Sequence, residues 1–498
     1  MLTADAEPGV PIRIIKYITY QSSRSASSAE LVARCGRTLD RALRDGADAL
    51  LESQRRELDR FWESADVVVA SGEGARMQQA IRWNLFQLCQ ATWRVEGAGV
   101  PRRGLTAQAY EGHYFWDAEI YILPFLSFTQ PRIARNLLRF RHSMLAQARD
   151  RAREINHNGA LFPWRTINGE EASASYQSGT AQYHLNADIA FAVRRYVNAT
   201  DDRDFLAEAG AELLVETARM WADLGFYADD QRFHLHNVTG PDEYTTVVND
   251  NTSTNLMARL NLSYAAATAR PAGRACPMTS SAPSIPRTPT SSSASAGTSR
   301  PPRPTTSRCC CTLLHYHPLV IYRHQVLKQT DVVLAMFLLG DEFSEQQKRA
   351  NFDYYDALTT GDSSLSACIQ SIVAAEIGKQ RTALEYFRFG LLMDLADASG
   401  NMADGVHVAS AAGVWRALVF GFGGLREYDG ALSITPHLPA PWDSLSFSLR
   451  FRDRRLQIHL THDQETYTLN AGDPLELTIR EQRHLLAPGK PLTKPASP

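Results

Sequence analysis

Apolar and polar positions along this chain fall into two main textures. From about residue 28 to 93 the apolar residues recur at helical spacing: Leu31, Leu39, Leu50, Leu51, Leu58 and Trp62, then Ala80, Ile81, Leu85, Leu88, Cys89 and Trp93. Arginines and acids fill the positions between them. Further helical stretches fall at 118–128, 134–147, 185–197, 206–224, 316–339, 343–358, 364–377, 380–396 and 413–419, with Pro124 expected to kink or break the first. Near residue 432 the period changes to two, and 445–451, 456–460 and 466–469 predict a small β domain. An isolated alternating run, 12–20, reads as a strand whose sheet partners are either distant or missing, since one strand is not stable alone. Helices joined by long, polar, aromatic-bearing loops predict a mainly α fold: a closed helical toroid with its loops gathered at one mouth.

Composition narrows the class. The chain has 498 residues, 44% apolar and 21% charged, the proportions of an ordinary folded protein. Its net charge of -2 argues against a general polyanion surface, so nucleic acid is not an expected partner. No apolar run is long enough for a membrane span, and the first residues lack the basic start and apolar core of a signal peptide. The expected location is the cytoplasm. Cys35, Cys89 and Cys368 are scattered singly in helical texture, and no CxxC pair occurs, so neither a zinc site nor a disulfide framework is expected. Cys276 and the adjacent Cys309, Cys310 and Cys311 belong to an odd segment. Between residues 271 and 311 there are nine Ser, six Thr and eight Pro among 41 residues, and no Asp, Glu or Leu. One reading is a linker tract. Another is an out-of-frame stretch, because CTG leucine codons read one base late give consecutive cysteines, and helical texture resumes at once with Thr312, Leu313 and Leu314.

Five constellations could carry chemistry. Gly112-His113-Tyr114-Phe115-Trp116-Asp117 sets an indole beside a carboxylate, which suits a sugar face and its hydroxyls or, equally, a core tryptophan with a capping acid. Thr239-Gly240-Pro241-Asp242-Glu243-Tyr244 forces a turn that either presents Glu243 to a cavity as a general acid or faces solvent. Lys328-Gln329-Thr330-Asp331 follows an apolar run, and Asp362-Ser363-Ser364-Leu365-Ser366 opens a helix, as an anion site or as a plain cap. Gly405-Val406-His407-Val408 places an imidazole among small residues, where it is either an oxyanion partner or a core histidine.

Taken in order, GHYFWDAEIY, FPWRTINGEE, GTAQYHLNADIA, TGPDEY, LLHYHPLVIYR, KQTD, TTGDSSLS and GVHVAS resemble glycoside hydrolase family 65, the inverting α-glucoside phosphorylases that include maltose, trehalose, kojibiose and nigerose phosphorylases. The resemblance covers about 10–268 and 312–490. It implies an (α/α)6 barrel at 96–430, interrupted by 271–311, with linker helices at 28–95 before it. It also implies a remnant of an N-terminal β-sandwich at 1–27, a C-terminal β domain at 431–490 and a tail at 491–498. By the same resemblance Glu243 is the general acid, Trp116, Asp117, Lys328 and Gln329 hold the nonreducing glucose, and Ser363, Ser364, Ser366 and His407 bind phosphate. The implied reaction is phosphorolysis of an α-linked glucobiose to β-glucose 1-phosphate and a free sugar, with phosphate as co-substrate and no metal or organic cofactor. The expected partners are the disaccharide and phosphate, and a homodimer is left open. Two rivals stand. A hydrolase on the same scaffold would need an acid near His407, where Asp404 is the nearest in sequence; a truncated, inactive fold is motivated by the missing sandwich and the foreign segment. Two further departures are Ala412-Gly413 where the family has a double glycine, and Arg102 where a small residue is usual.

Overall fold

A computed structural model of the chain describes residues 5, 7–23, 26–72, 74–93, 97–105, 108–173, 177–269 and 316–496. The segment 271–311 and its four cysteines lie outside the described residues. The chain divides into two compact units, Met1–Ser64 and Ala65–Pro498. The first holds α1 (Ser28–Asp45) and most of α2 (Ala47–Ala65). Val32 and Leu43 on α1 are exposed, and Arg13 pairs with Asp48 at 2.6 Å. The strand expected at 12–20 does not form: Ile12, Ile14 and Ile18 stand in irregular, solvent-facing chain. Among the described residues nothing pairs with it, and extended backbone without a ladder gains too little to stay regular.

The second unit's longer helices are α3 (Gly74–Thr92), α4 (Leu123–Thr129), α5 (Pro131–Ser143), α6 (Leu145–Glu154), α7 (Leu185–Thr200), α8 (Ala211–Leu224), α9 (Thr252–Thr268), α10 (Asp331–Leu338), α11 (Glu345–Asp356), α12 (Ser366–Glu376), α13 (Gln380–Leu391) and α14 (Val408–Arg416). A π-helical turn, Ala118–Ile122, leads into α4, and another, Ala417–Phe422, extends α14. Pro124 does not break its helix: it falls in the first turn of α4, where the π-helical turn passes into the α-helix. The stretch 134–147 divides at Met144 into α5 and α6, and 316–339 holds only one turn, Pro318–Ile321, before α10.

Among the described residues α4, α7, α9, α10, α12 and α14 each pack on the next, and α14 returns to the turn before α4. α3, α5, α8, α11 and α13 form a second layer behind them. Burial separates the layers. Every residue of α10 and α14 is buried, whereas α11 buries only Lys348 and Phe352. The inner helices share a direction where it can be read directly: Gly413 lies against Cys368 and Gly421 against Ile372, so α12 and α14 run side by side with their starts at one end. Contacts between the starts extend this around the succession. Trp116 meets His184 edge to face at 5.0 Å, Thr239 N donates to Ala181 O, Asn251 to Asp331, and Ser363 to Gln329. The loops that carry the sequence motifs are thereby gathered at one end.

The C-terminal β region has two sheets. β1 (Val67–Ser71) pairs with β6 (Trp442–Phe451), followed by β7 (Arg454–Thr461), β8 (Gln464–Ala471) and β11 (Leu492–Pro495). β4 (Leu425–Tyr428), β5 (Ala431–Ile434), β9 (Leu475–Ile479) and β10 (Gln482–Leu486) make the second, with β5 and β9 parallel. β2 (Phe226–Tyr227) and β3 (Phe233–His234) form a separate hairpin. β1 sits inside the stretch whose texture reads as helical. Its five residues are held by a strand far along the chain, with Val67 opposite Phe447 and Val69 opposite Leu445. Phe128 of α4 stacks on Phe451, and Phe387 and Phe422 meet Trp442, which seats the first sheet on the helices.

Candidate active site

The Glu243 loop is built on a narrow neck. Val238 and Val248 exchange main-chain hydrogen bonds, and Thr239 Oγ1 accepts from Val247 N inside the loop they close. Gly240 is required there, since a Cβ would lie 2.7 Å from the Asn251 side chain. Asp242 is fully buried and works as a main-chain anchor: its Oδ1 accepts from Lys328 N at 2.7 Å and Gln329 N at 3.3 Å, and its Oδ2 from Thr245 Oγ1. Gln329 Nε2 donates to Pro241 O. These bonds lock the TGPDEY and KQTD motifs together and set Lys328 Nζ 2.7 Å from Glu243 Oε2. Burial works against the Lys328 charge, yet the neighbouring Glu243 carboxylate outweighs it and holds the ammonium above its ordinary pKa. Burial, with Asp331 close by, raises the Asp242 carboxyl.

Asp117 faces the same space. Tyr114 OH and Arg141 grip Glu119, all buried, and Tyr114 exchanges main-chain hydrogen bonds with Thr166, so the turn that presents Trp116 and Asp117 is rigid. Trp116 is buried edge to face against Tyr121 and His184. Among the described residues neither buried Asp117 carboxylate oxygen has a hydrogen-bond partner, and Arg102 Nε lies 3.1 Å from Oδ2 as an ion pair. Unsatisfied buried acceptors of this kind call for a ligand with hydroxyls. The Arg102 guanidinium lies over the Tyr110 and Phe115 rings at 4.8 and 5.1 Å. Burial opposes its charge, but Asp117, Tyr110 and Glu243 keep its pKa above the ordinary value, which puts Glu243 within its electrostatic reach.

His407, at the start of α14, sits in a charged cluster. Asp394 accepts from His407 N at 2.9 Å and from its Nδ1 at 2.6 Å, which leaves Nε2 as the ring's other hydrogen-bonding edge. Arg103 Nη1 lies 3.1 Å from the same Nδ1 and donates to Gly405 O, while its Nε is buried without a partner among the described residues. At the start of α12 Ser363 is buried and donates to Gln329 Oε1 at 2.8 Å, Ser364 is half-buried, and Ser366 Oγ is buried with no partner among the described residues. The parallel packing of α12 and α14 brings the serines and His407 to the same end. Adjacent residues Arg102 and Arg103 join the two halves, one on Asp117 and the other on His407. Each expected site residue therefore lies at this end of the helices.

Three participants escaped the sequence reading. Asp394 is thirteen positions from His407 and carries no motif, so Asp404 looked nearer; only folding sets Asp394 against the imidazole. Arg103 looked like the flank of an odd Arg102, and Asp331 like the end of a motif. An open groove of about 500 Å³ lies in the N-terminal unit along Arg34, Arg37, Arg41 and Arg44 and is lined by none of these side chains. Among the described residues no helix is long and apolar enough to cross a membrane.

Comparison with known proteins agrees with the motifs. The glycosyl hydrolase family 65 central catalytic domain matches residues 82–281 and 305–416, the family's C-terminal domain matches 425–486, and its N-terminal domain matches 1–61. The chain is 40% identical over 515 residues to an α,α-trehalose phosphorylase of Thermoanaerobacter brockii, covering 98% of this chain and 66% of the relative. It is 32% identical to the kojibiose phosphorylase of Escherichia coli K12, covering 94% of this chain and 65% of that protein. A solved structure from the human microbiome, provisionally assigned as a kojibiose phosphorylase, superposes with a TM-score of 0.83 at 27% identity, over 94% of this chain and 72% of the other. The chain thus spans about two thirds of the length of the curated relatives it matches. On the match to the central domain across most of the helical region, this chain belongs to glycosyl hydrolase family 65.

Proposed function

We propose that this protein is an inverting disaccharide phosphorylase acting on an α-linked glucobiose, built on an (α/α)6 barrel whose inner helices are α4, α7, α9, α10, α12 and α14. The observation that carries the reading is the pairing of Glu243 with Lys328 at one side of the site and the His407–Arg103–Asp394 cluster at the other, joined through Arg102. A glucose unit in the space between takes hydroxyl contacts from Asp117 and Lys328, with Gln329 behind them and Trp116 as the wall. Once Lys328 turns to the sugar, Glu243 can carry the proton it gives to the glycosidic oxygen. That C–O bond breaks as phosphate, held by His407 and the serines at the α12 start, attacks the anomeric carbon from the opposite face. The products are β-glucose 1-phosphate and a free sugar. Phosphate is already anionic, so no general base is needed, in contrast to the inverting hydrolytic scheme. Asp394 does not serve the hydrolytic alternative, because both its oxygens are committed to His407.

The higher identity to trehalose phosphorylases than to kojibiose phosphorylases makes α,α-trehalose the first substrate to try. The test follows glucose 1-phosphate and free glucose from trehalose, kojibiose, nigerose and maltose, with and without phosphate. The reading expects glucose 1-phosphate from one of them only when phosphate is present. Free glucose released regardless of phosphate would sink it.

A further inference from the structure

The neck of the Glu243 loop carries a second cluster that this reaction does not use. His234 and His236 alternate with Leu235 in extended chain, so Leu235 is buried on one side and both imidazoles project on the other. Asp250, from the returning chain, places its Oδ2 2.8 Å from His234 Nδ1 and 3.9 Å from His236 Nε2. The three ligand atoms all lie within 4.8 Å of one another. Around one tetrahedral zinc ion, nitrogen and oxygen ligands at about 2.0–2.2 Å stand about 3.3 Å apart, so sub-ångström shifts would close this triad on an ion.

The surroundings orient the three groups as a ligand set. Asp250 Oδ1 is occupied, accepting from Leu235 N and Asn255 Nδ2, which leaves Oδ2 turned to the imidazoles. His234 Nε2 faces Asp230 Oδ1 at 3.3 Å, the outer carboxylate that ligating histidines commonly have on their second nitrogen. Phe226 walls one side, stacked on His234 and edge-on to His236. Imidazole and carboxylate together suit a divalent first-row transition ion rather than calcium or magnesium.

We propose that His234, His236 and Asp250 bind one divalent transition-metal ion of the zinc type, which clips the neck of the loop bearing Glu243. His236 and Asp250 flank the Val238–Val248 bridge that closes this loop, so an ion bound between them ties the two chain segments of the neck together. The site is structural, outside the reaction described above, and stands whether or not that reaction does.

The test titrates the chelator-stripped full chain with Zn²⁺ by calorimetry and with Co²⁺ by absorption. The expected result is one equivalent of saturable binding, with Co²⁺ bands lacking the thiolate charge-transfer feature that the cysteines would produce. H236A, which removes a half-exposed ligand, is expected to abolish this binding. D230N, which leaves all three ligands in place, should weaken it about 10- to 100-fold. Zn²⁺ should raise the melting temperature of the parent protein and not that of H236A. Absence of saturable binding, or binding unchanged in H236A, overturns the proposal in favour of a plain His–Asp ion pair.

Discussion

Lys328 and Glu243 hold each other at 2.7 Å, and this pair decides what single substitutions should do. Glu243→Gln keeps the shape and a hydrogen-bonding partner for the loop but has no proton to give, so kcat on an unactivated disaccharide should fall about 10²- to 10⁴-fold with KM nearly unchanged. A variant retaining parental rates would remove Glu243 from the role. At the other side Asp394→Asn withdraws the charge behind His407. The KM for phosphate should rise about tenfold or more while the KM for disaccharide stays put, since a charge-assisted bond is worth roughly 1.5–3 kcal/mol. Equal changes in both would mean only a loosened fold. Glu243 and His407 stand out in the sequence because each sits among turn-forming or small residues, and Asp117 because it follows Trp116. Asp394 and Arg103 do not, because their meaning lies in what folding sets beside them.

Helix pairing explains why position 413 should require glycine. Gly413 packs on Cys368 so closely that a Cβ would stand 2.7 Å from Sγ and 2.8 Å from the Cys368 Cβ. Position 412 already carries alanine, buried within α14. Gly413→Ala should therefore destabilise the protein by about 1–3 kcal/mol in denaturant unfolding. Combined with Cys368→Ala, its effect should shrink, so the double variant is more stable than the sum of the two singles requires. Strict additivity would show that α12 and α14 are not in this contact. The helices were legible from period where one face is polar, as in α11. α10, buried all round, shows an apolar run without period, so its separation from the turn Pro318–Ile321 could not be read. β1 was missed because the run Val67-Val68-Val69, though β-branched, lies in a strand of only five residues inside helical texture, and its partner β6 lies far along the chain.

Across the whole second unit, a charged junction ties the helices to the β region. Glu376 at the end of α12 accepts from Lys348 of α11 at 2.6 Å and from Arg426 of β4 at 2.8 Å. Burial alone would raise the Glu376 carboxyl, but Arg426 and Lys348 pull it down to about 2. A depressed carboxyl stabilises the fold fully above its unfolded value near 4.5, and that contribution is lost as pH falls from there toward 2. Glu376→Gln strands two cations and should cost about 3 kcal/mol at neutral pH, the lower end for a broken buried pair because a fifth of the side chain meets water. Its melting temperature should also fall less between pH 5 and pH 3 than that of the parent; parallel pH curves would refute the linkage. By itself the sequence determined the class of each texture, the order of the motifs and the family they resemble, since hydrophobic period and turn chemistry act over a few residues. The tertiary structure alone decided that α14 closes on the turn before α4, that Arg102 and Arg103 face opposite halves of one site, and that Asp394 backs His407. These are contacts between residues distant in sequence, and no local pattern encodes which of them folding will bring together.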